Sequence, residues 1–341
     1  MDGMKIRNYF FYLASFVIII AGLKAASEIV IILFLAIFIS SIISTIILFL
    51  ENKNIPKFFS YLVVLGIFSL ITLLLSYIVN ISLKDFLTNL PQYEKQLQGL
   101  VVNTIALGES YGIEVDKKTI MEALSFSSFF GITTNVIGSI GTFLSKFLLL
   151  IIGIAFILAE SKSFEKKLKI IFEKDKDRLE HFNLFSHNIK NYFLVKTFTS
   201  FLTGFLIAII LIFFDINYPI LWGVIAMLFN FIPVVGSIIA AIPAVLLSLV
   251  GADINTTIIL IILYVAINIS ISNIIEPKFM GKELGLSPLI IFFSLILWGW
   301  VLGIVGMFLA VPITMTLKIA FNSNSSTKWI SLLMSDVGGK K

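Results

Sequence analysis

The stretch from Pro219 to Val250, PILWGVIAMLFNFIPVVGSIIAAIPAVLLSLV, is apolar apart from Asn230, Ser237 and Ser248, yet it carries Pro233, Gly236 and Pro243 in its interior. A second stretch, Pro288 to Leu317, PLIIFFSLILWGWVLGIVGMFLAVPITMTL, repeats the plan at an offset of 69 residues. Pro219 aligns with Pro288, Leu228 with Leu297, the aromatic pair Phe229 and Phe231 with Trp298 and Trp300, and Ala241-Ile242-Pro243 with Ala310-Val311-Pro312. Proline has no amide hydrogen and glycine is a poor helix former, so each segment should interrupt its helix. The first break spans Asn230, Phe231, Ile232, Pro233, Val234, Val235 and Gly236; the second begins at Gly299-Trp300 and continues through Gly303 and Gly306. An arm of about 15 residues is ~22 Å long as helix, short of the roughly 30 Å hydrocarbon core. Two re-entrant hairpins are therefore expected; two kinked, tilted helices are the alternative.

Around these segments the chain reads as membrane-embedded. Of its 341 residues 58% are hydrophobic and 13% charged, with a mean hydropathy of +1.04. Soluble domains carry roughly 25% charged residues, so a soluble enzyme, a fibrous protein and a disordered chain are excluded. Six runs suit full spans: Tyr9 to Ala26, Ile29 to Leu50, Phe58 to Ile81, Phe143 to Ala159, Phe193 to Phe214 and Ile254 to Ile275. The fold class is all-α and polytopic, with six transmembrane helices plus two inverted re-entrant hairpins, about eight membrane segments in all. The basic start before Tyr9 would also suit a signal peptide, but the long run that follows at once favours a helical hairpin.

Lysine and arginine placement orients the chain. Lys5, Arg7, Lys53 and Lys57 flank the first three runs, and nine Lys or Arg against five Asp or Glu fill Lys162 to Lys196, so these segments belong in the cytoplasm. Ser82 to Thr142 has four Lys against six Asp or Glu and belongs outside. Its Leu83, Phe86, Leu87, Leu90, Leu97 and Leu100 recur at helical spacing and predict an amphipathic helix. If the first broken segment returns to the face it entered, Lys278, Lys282, Lys318 and the C-terminus all fall in the cytoplasm. The two hairpins then enter from opposite faces, as inverted repeats do in several secondary transporters. This divides the chain into helices one to three at 1–81, an external insert at 82–142, the fourth helix and a basic segment at 143–193, a transport core at 194–319 and a cytoplasmic tail at 320–341.

Unwound backbone at membrane depth is tolerated only against protein or a water-filled cavity, so the breaks mark a candidate substrate path: Asn230, Phe231, Pro233, Gly236, Trp298, Gly299, Gly303 and Gly306. Between them Asn268, Ser272 and Glu276 lie four apart, with Asn273 adjacent, and form a polar stripe suited to ion or proton coupling through Glu276. Glu276 could equally pair with Lys278 or Lys282 at the interface. Lys196, Thr199, Ser200 and Thr203 make a second polar face, open to substrate contact or to helix–helix hydrogen bonding. Asp215 and Asp253 sit at the expected outer boundaries, as gates or as simple interfacial residues.

Enzyme motifs fail one by one. His181 and His187 are six apart, not the four of a zinc-binding helix. Gly138-Ser139-Ile140-Gly141 has the wrong spacing for a nucleophile elbow, and no phosphate-binding loop occurs. With no cysteine there is neither a disulfide framework nor a thiol nucleophile. No cofactor is expected, and the net charge of +5 is read as membrane orientation rather than nucleic-acid binding.

The strings FNFIPVVGSIIAAIPAVLLSL from Phe229 and NIIEPKFMGKELGLSPLIIFFSLILWGWVLGIVGMFLAVPITMTLKI from Asn273 resemble the hallmark segments of the autoinducer-2 exporter family, also called PerM-like. The resemblance implies a prokaryotic plasma-membrane carrier that moves small molecules without ATP, as a homo-oligomer, with a pentamer as one arrangement. Family members have been linked to autoinducer-2 export and others to sodium/proton exchange. The positions matching the family pattern are Asn230, Pro233, Gly236 and Pro243 in the first segment. In the second they are Glu276, Pro277, Gly281, Gly285, Pro288, Trp298, Gly303, Gly306 and Pro312. Lys196 stands where family members often carry glutamine.

Overall fold

The computed structural model describes residues 2–111, 146–173, 176–233, 235–280, 285–323 and 326–336. Helix α1 (Asp2–Ala25) turns at Ala26 into α2 (Ser27–Asn52), and Asn54, in the left-handed region with φ 62°, leads to α3 (Lys57–Ser110). Next come α4 (Phe147–Ile171) and α5 (Lys176–Phe213), then the short α6 (Pro219–Phe229) and α7 (Val235–Gly251). Helix α8 (Ile254–Ser270) runs through a π turn (Ile271–Ile275) into α9 (Glu276–Met280), and α10 (Pro288–Asn322) precedes α11 (Lys328–Leu333).

Five described helical stretches are long and apolar enough to cross a bilayer: Ser27–Asn52, Lys57–Ala106, Ser186–Phe213, Ile254–Phe279 and Pro288–Asn322. The pair Phe147–Ser161 and Ser163–Ile171, bent by 53°, would make a sixth. Their outer faces leave Leu33, Phe58, Leu73, Phe156 and Phe292 bare. Such surface suits hydrocarbon and not water. The chain is a polytopic all-α membrane protein.

Pro288–Asn322 passes as a span by length and composition, but its backbone does not run straight. Gly303, at φ 66° and ψ −152°, is non-helical. The Ser294 hydroxyl donates to the Ala310 carbonyl (2.9 Å) and meets Thr314 Oγ1, while Trp298 Nε1 donates to Thr314 Oγ1 at 3.2 Å. Sixteen residues of continuous helix would hold such groups ~24 Å apart. The arms 288–302 and 304–322 therefore lie against one another, with Gly303 at the apex. A methyl on Gly306 would overlap the Trp298 carbonyl oxygen, which is why the first turn of the second arm carries glycine there.

The first broken stretch is built the same way. Pro219 opens α6 after Tyr218, the helix stops at Asn230, and α7 starts at Val235. A methyl on Gly236 would meet the Phe229 carbonyl oxygen, the counterpart of the Gly306–Trp298 approach. Both proline-started segments are thus helical hairpins.

The described residues group into two compact units. One holds Met1–Leu65, Lys146–Leu194 and Met280–Lys341; the other holds Gly66–Ser145 and Val195–Phe279. In the first, α2 and α4 pack closely where Gly153 faces Ala36, whose Cβ would lie 3.2 Å from a methyl at position 153. Lys146 pairs with Glu28 (2.8 Å), Tyr61 donates to the Leu158 carbonyl (2.9 Å), and Phe38 lies on Phe193 with ring centres 4.4 Å apart. Lys24 Nζ sits 3.8 Å over the Trp300 ring.

In the second unit α5 and α6 meet backbone to backbone. A Cβ on Gly223 would come within 2.7 Å of the Gly204 carbonyl oxygen and 2.8 Å of the Ala208 Cβ. Gly204 and Ala208 form the small-xxx-small pattern that permits such approach in membranes. The amphipathic pattern in 82–110 is helical as expected, but it continues α3 without a break instead of forming a separate element. Phe86 is fully buried, edge-on to Trp222 (5.2 Å) and Tyr218 (5.8 Å). The Tyr218 hydroxyl donates to Asp85 Oδ2 (2.9 Å) and accepts from Asn89 Nδ2 (3.1 Å). Burial first, then its bonding with Tyr93, holds that phenol above its ordinary titration range. Residues 112–142 of the insert, with the Gly138–Gly141 string, lie outside the described residues.

Candidate functional site

Helix α5 carries its polar residues on one face because Lys196, Thr199, Ser200 and Thr203 are spaced by three and four. All four are buried: Lys196 is 5% exposed, Thr199 and Ser200 fully buried, Thr203 2% exposed. Burial of a cation in such surroundings demands a partner. Lys196 Nζ lies 2.6 Å from Glu276 Oε1, and the Thr199 hydroxyl donates to the same oxygen at 3.0 Å. The partner of Glu276 is therefore 80 residues away in sequence, on α5, and not Lys278 beside it. Lys282 lies outside the described residues.

One residue further along α5, Ser200 Oγ accepts from Asn230 Nδ2 at 3.1 Å. Asn230 is the last residue before the first hairpin's turn, and it is 5% exposed. The α5 face thus ties the carboxylate at the start of α9 and the apex of the first hairpin to neighbouring residues of one helix. Thr203 turns inward on its own helix, donating to the Thr199 carbonyl at 2.8 Å. Helix–helix hydrogen bonding and a built polar site are here the same residues.

The expected stripe on α8 divides. Glu276 joins the α5 cluster, whereas Ser272 and Asn273 are exposed. Asn268 donates to the Tyr264 carbonyl (2.9 Å), and its Oδ1 and the Tyr264 hydroxyl are buried with no protein partner. The π turn at Ile271–Ile275 lies between these residues and Glu276. Such turns widen the helix by one residue and are frequent at functional sites.

Of the other residues proposed for a substrate path, Phe231 and Pro233 are half-buried at the first turn and Gly236 is buried against Phe229. Trp298 is buried and bonded to Thr314; Gly299 faces the Met307 side chain; Gly303 is exposed at the second apex; Gly306 is buried against Trp298. These four belong to the first compact unit and the α5 cluster to the second. Asp253 is the N-cap of α8, accepting from the Thr256 amide at 2.9 Å, and its Thr256 bonds hold the carboxyl below the usual range.

Three features escaped the sequence reading. Ser294 and Thr314, whose hydroxyls cross-link the arms of the second hairpin, sit among apolar neighbours without a motif. The pairing of Lys196 with Glu276 follows no spacing rule, although a lone lysine and a lone glutamate in apolar runs are each a signal that a partner exists. Tyr264, one turn before Asn268 on the same face, was readable by that spacing.

Comparisons with known proteins identify a family for this chain. The family model described as AI-2E family transporter matches residues 13–325. A putative transport protein of Haemophilus influenzae is 33% identical over 342 residues, covering 98% of each chain. The AI-2 transport protein TqsA of Escherichia coli is 29% identical over 337 residues, with 99% of this chain and 97% of that one covered. A putative transport protein of Borreliella burgdorferi is 28% identical over 335 residues, covering 97% and 91%. With nearly its whole length matched and its two hairpins at the motif-bearing segments, the chain belongs to the AI-2E transporter family.

Proposed function

We propose that the protein exports a small polar metabolite of the autoinducer-2 type across the prokaryotic plasma membrane by a secondary, ATP-independent, alternating-access mechanism. The observation that carries this reading is the pair of glycine- and proline-broken helical hairpins, one of which is bonded at its apex to a buried polar face. Broken helices free backbone carbonyls and amides for a solute at the depth where an unbroken helix offers none. The name of the Escherichia coli relative, an AI-2 transport protein, supports the cargo.

In this reading the six spans hold two opposed re-entrant hairpins, and the moving unit is the hairpins with α8 between them, inside a core at residues 194–319. Asn230, Phe231, Pro233, Gly236, Trp298, Gly299, Gly303 and Gly306 line the path. Both termini face the cytoplasm, and the carrier works as a homo-oligomer. Sodium/proton exchange, with Glu276 as proton carrier, ranks second, because the carboxylate oxygen Oε1 is already held by Lys196 and Thr199. A passive channel, or a membrane scaffold for partner proteins, ranks below both.

Reconstituted liposomes carrying the purified protein are expected to take up labelled autoinducer-2 saturably. Uptake no greater than in empty liposomes removes this cargo, and flux that never saturates replaces the carrier with a channel.

A further inference from the structure

The second hairpin and the α8 segment have polar groups whose partners are protein or unassigned, but the α5 cluster has something more specific: a charge already neutralised from within. Glu276 Oε1 receives a cation at 2.6 Å and a hydroxyl at 3.0 Å, and the Lys196 backbone carbonyl lies 3.2 Å from that hydroxyl. A carboxylate oxygen with a threonine hydroxyl beside it offers hard oxygen donors, the kind that takes a small cation such as sodium or potassium. Their charge is minus one, so a single monovalent cation balances it. Here that positive charge is supplied by a lysine ammonium, a compact point charge on a flexible stem.

We infer that Lys196 occupies with its own ammonium a monovalent-cation position at Glu276 and Thr199, so that the transport cycle runs without a bound sodium ion. This deepens the proposed carrier reading and rests on it for the word transport, but not for the site itself. Three observations converge. Lys196 is 5% exposed on the apolar, span-length part of α5, where an unpaired charge would be costly. It is covalently attached, so its effective concentration at Glu276 exceeds that of any dissolved cation, and sodium cannot displace it by mass action. Finally, the next residue after Thr199 is Ser200, which holds Asn230 at the apex of the first hairpin. A cation that came and went at Glu276 would report its presence to that apex through one turn of α5. A tethered cation holds the link permanently in the occupied arrangement. The hairpin then answers to solute alone.

The inference separates this chain from a cation-coupled carrier by one side chain. Removing the ammonium while keeping the carboxylate should vacate the position for an ion from solution. The test is equilibrium binding of radioactive sodium to the purified full-length protein, with melting temperature followed against sodium concentration at constant ionic strength set by N-methylglucamine chloride. Wild type is expected to retain no sodium and to melt independently of it. Lys196→Ser is expected to retain sodium and to gain a few degrees in melting temperature for each tenfold rise above its dissociation constant. Lys196→Ser/Glu276→Gln is expected to lose both effects. Lys196→Gln, which keeps a long polar side chain, serves as the second variant if the serine protein does not fold in either salt.

Sodium retention by wild type that disappears in Glu276→Gln overturns the inference, because ion and lysine would then coexist. A folded Lys196→Ser or Lys196→Gln protein that ignores sodium overturns it as well. None of these readouts uses a transported solute, so a failed autoinducer-2 experiment sinks the cargo and leaves the cation site standing, and the reverse.

Discussion

Alanine at Gly303 and at Gly306 distinguishes the hairpin from a continuous helix by the sign of its effect. In an unbroken helix each glycine-to-alanine change would stabilise by about 1 kcal/mol, since alanine restricts the unfolded chain and favours the helix. The folded-back geometry reverses both. Gly303 holds φ 66° and ψ −152°, a region other residues hardly enter, and nothing lies within 4 Å of its added methyl. Its cost is therefore conformational, ~1–3 kcal/mol. At Gly306 the obstacle is steric: the methyl would overlap the Trp298 carbonyl oxygen and sit 2.7 Å from Leu302 Cβ. A backbone oxygen cannot swing aside as a side-chain end does, so the cost is at least the ~1–3 kcal/mol of an overpacked core. The two readings differ by roughly 2–4 kcal/mol at either site, which corresponds to several degrees in melting temperature. Tryptophan fluorescence melts of the purified protein provide the assay, with Trp298 and Trp300 inside the hairpin. Two controls calibrate it. Gly66, helical in α3 with nothing within 4 Å, should become more stable as alanine. Gly299, whose neighbour is the flexible Met307 side chain at 2.9 Å, should lose less than Gly306. If Gly303→Ala and Gly306→Ala both melt higher than wild type, the segment is a straight span and the hairpin mechanism falls.

The Asn230–Ser200 bond predicts a coupled pair. Asn230→Ala should cost about 1 kcal/mol, between the membrane average of ~0.6 and the soluble range of ~1–3, and adding Ser200→Ala should cost almost nothing more in a double-mutant cycle. At the N-terminus of α8, the Asp253 carboxyl is held below its usual range by the Thr256 hydroxyl and amide. Its capping contribution is fully present above the ordinary aspartate value of about 4 and is lost as pH falls through the lowered folded value. The difference in melting temperature between wild type and Asp253→Ala should therefore be largest near neutrality and close in acid, and a difference unchanged across that range would exclude the cap.

Periodicity, proline and glycine determined the class of this protein and the places where its helices stop. A bilayer accepts only backbone that satisfies itself, so twenty apolar residues in sequence already commit to a helix, and a Pro-x-x-Gly break at Pro233–Gly236 commits to its interruption. The close approach of Gly306 to Trp298 was implicit in the same letters. Local sequence leaves open where an interrupted arm goes next, and which polar residue meets which. Gly303 alone permits a kink or a reversal; the hydroxyls of Ser294 and Thr314, twenty residues apart, choose the reversal by bonding across it. Glu276 had lysines two and six residues away, yet it pairs with Lys196, because helix packing and not chain distance decides which charge is within reach at low dielectric. The tertiary structure alone turned four spaced polar residues on α5 into a site, by bringing a distant carboxylate and the first hairpin's apex onto the same face.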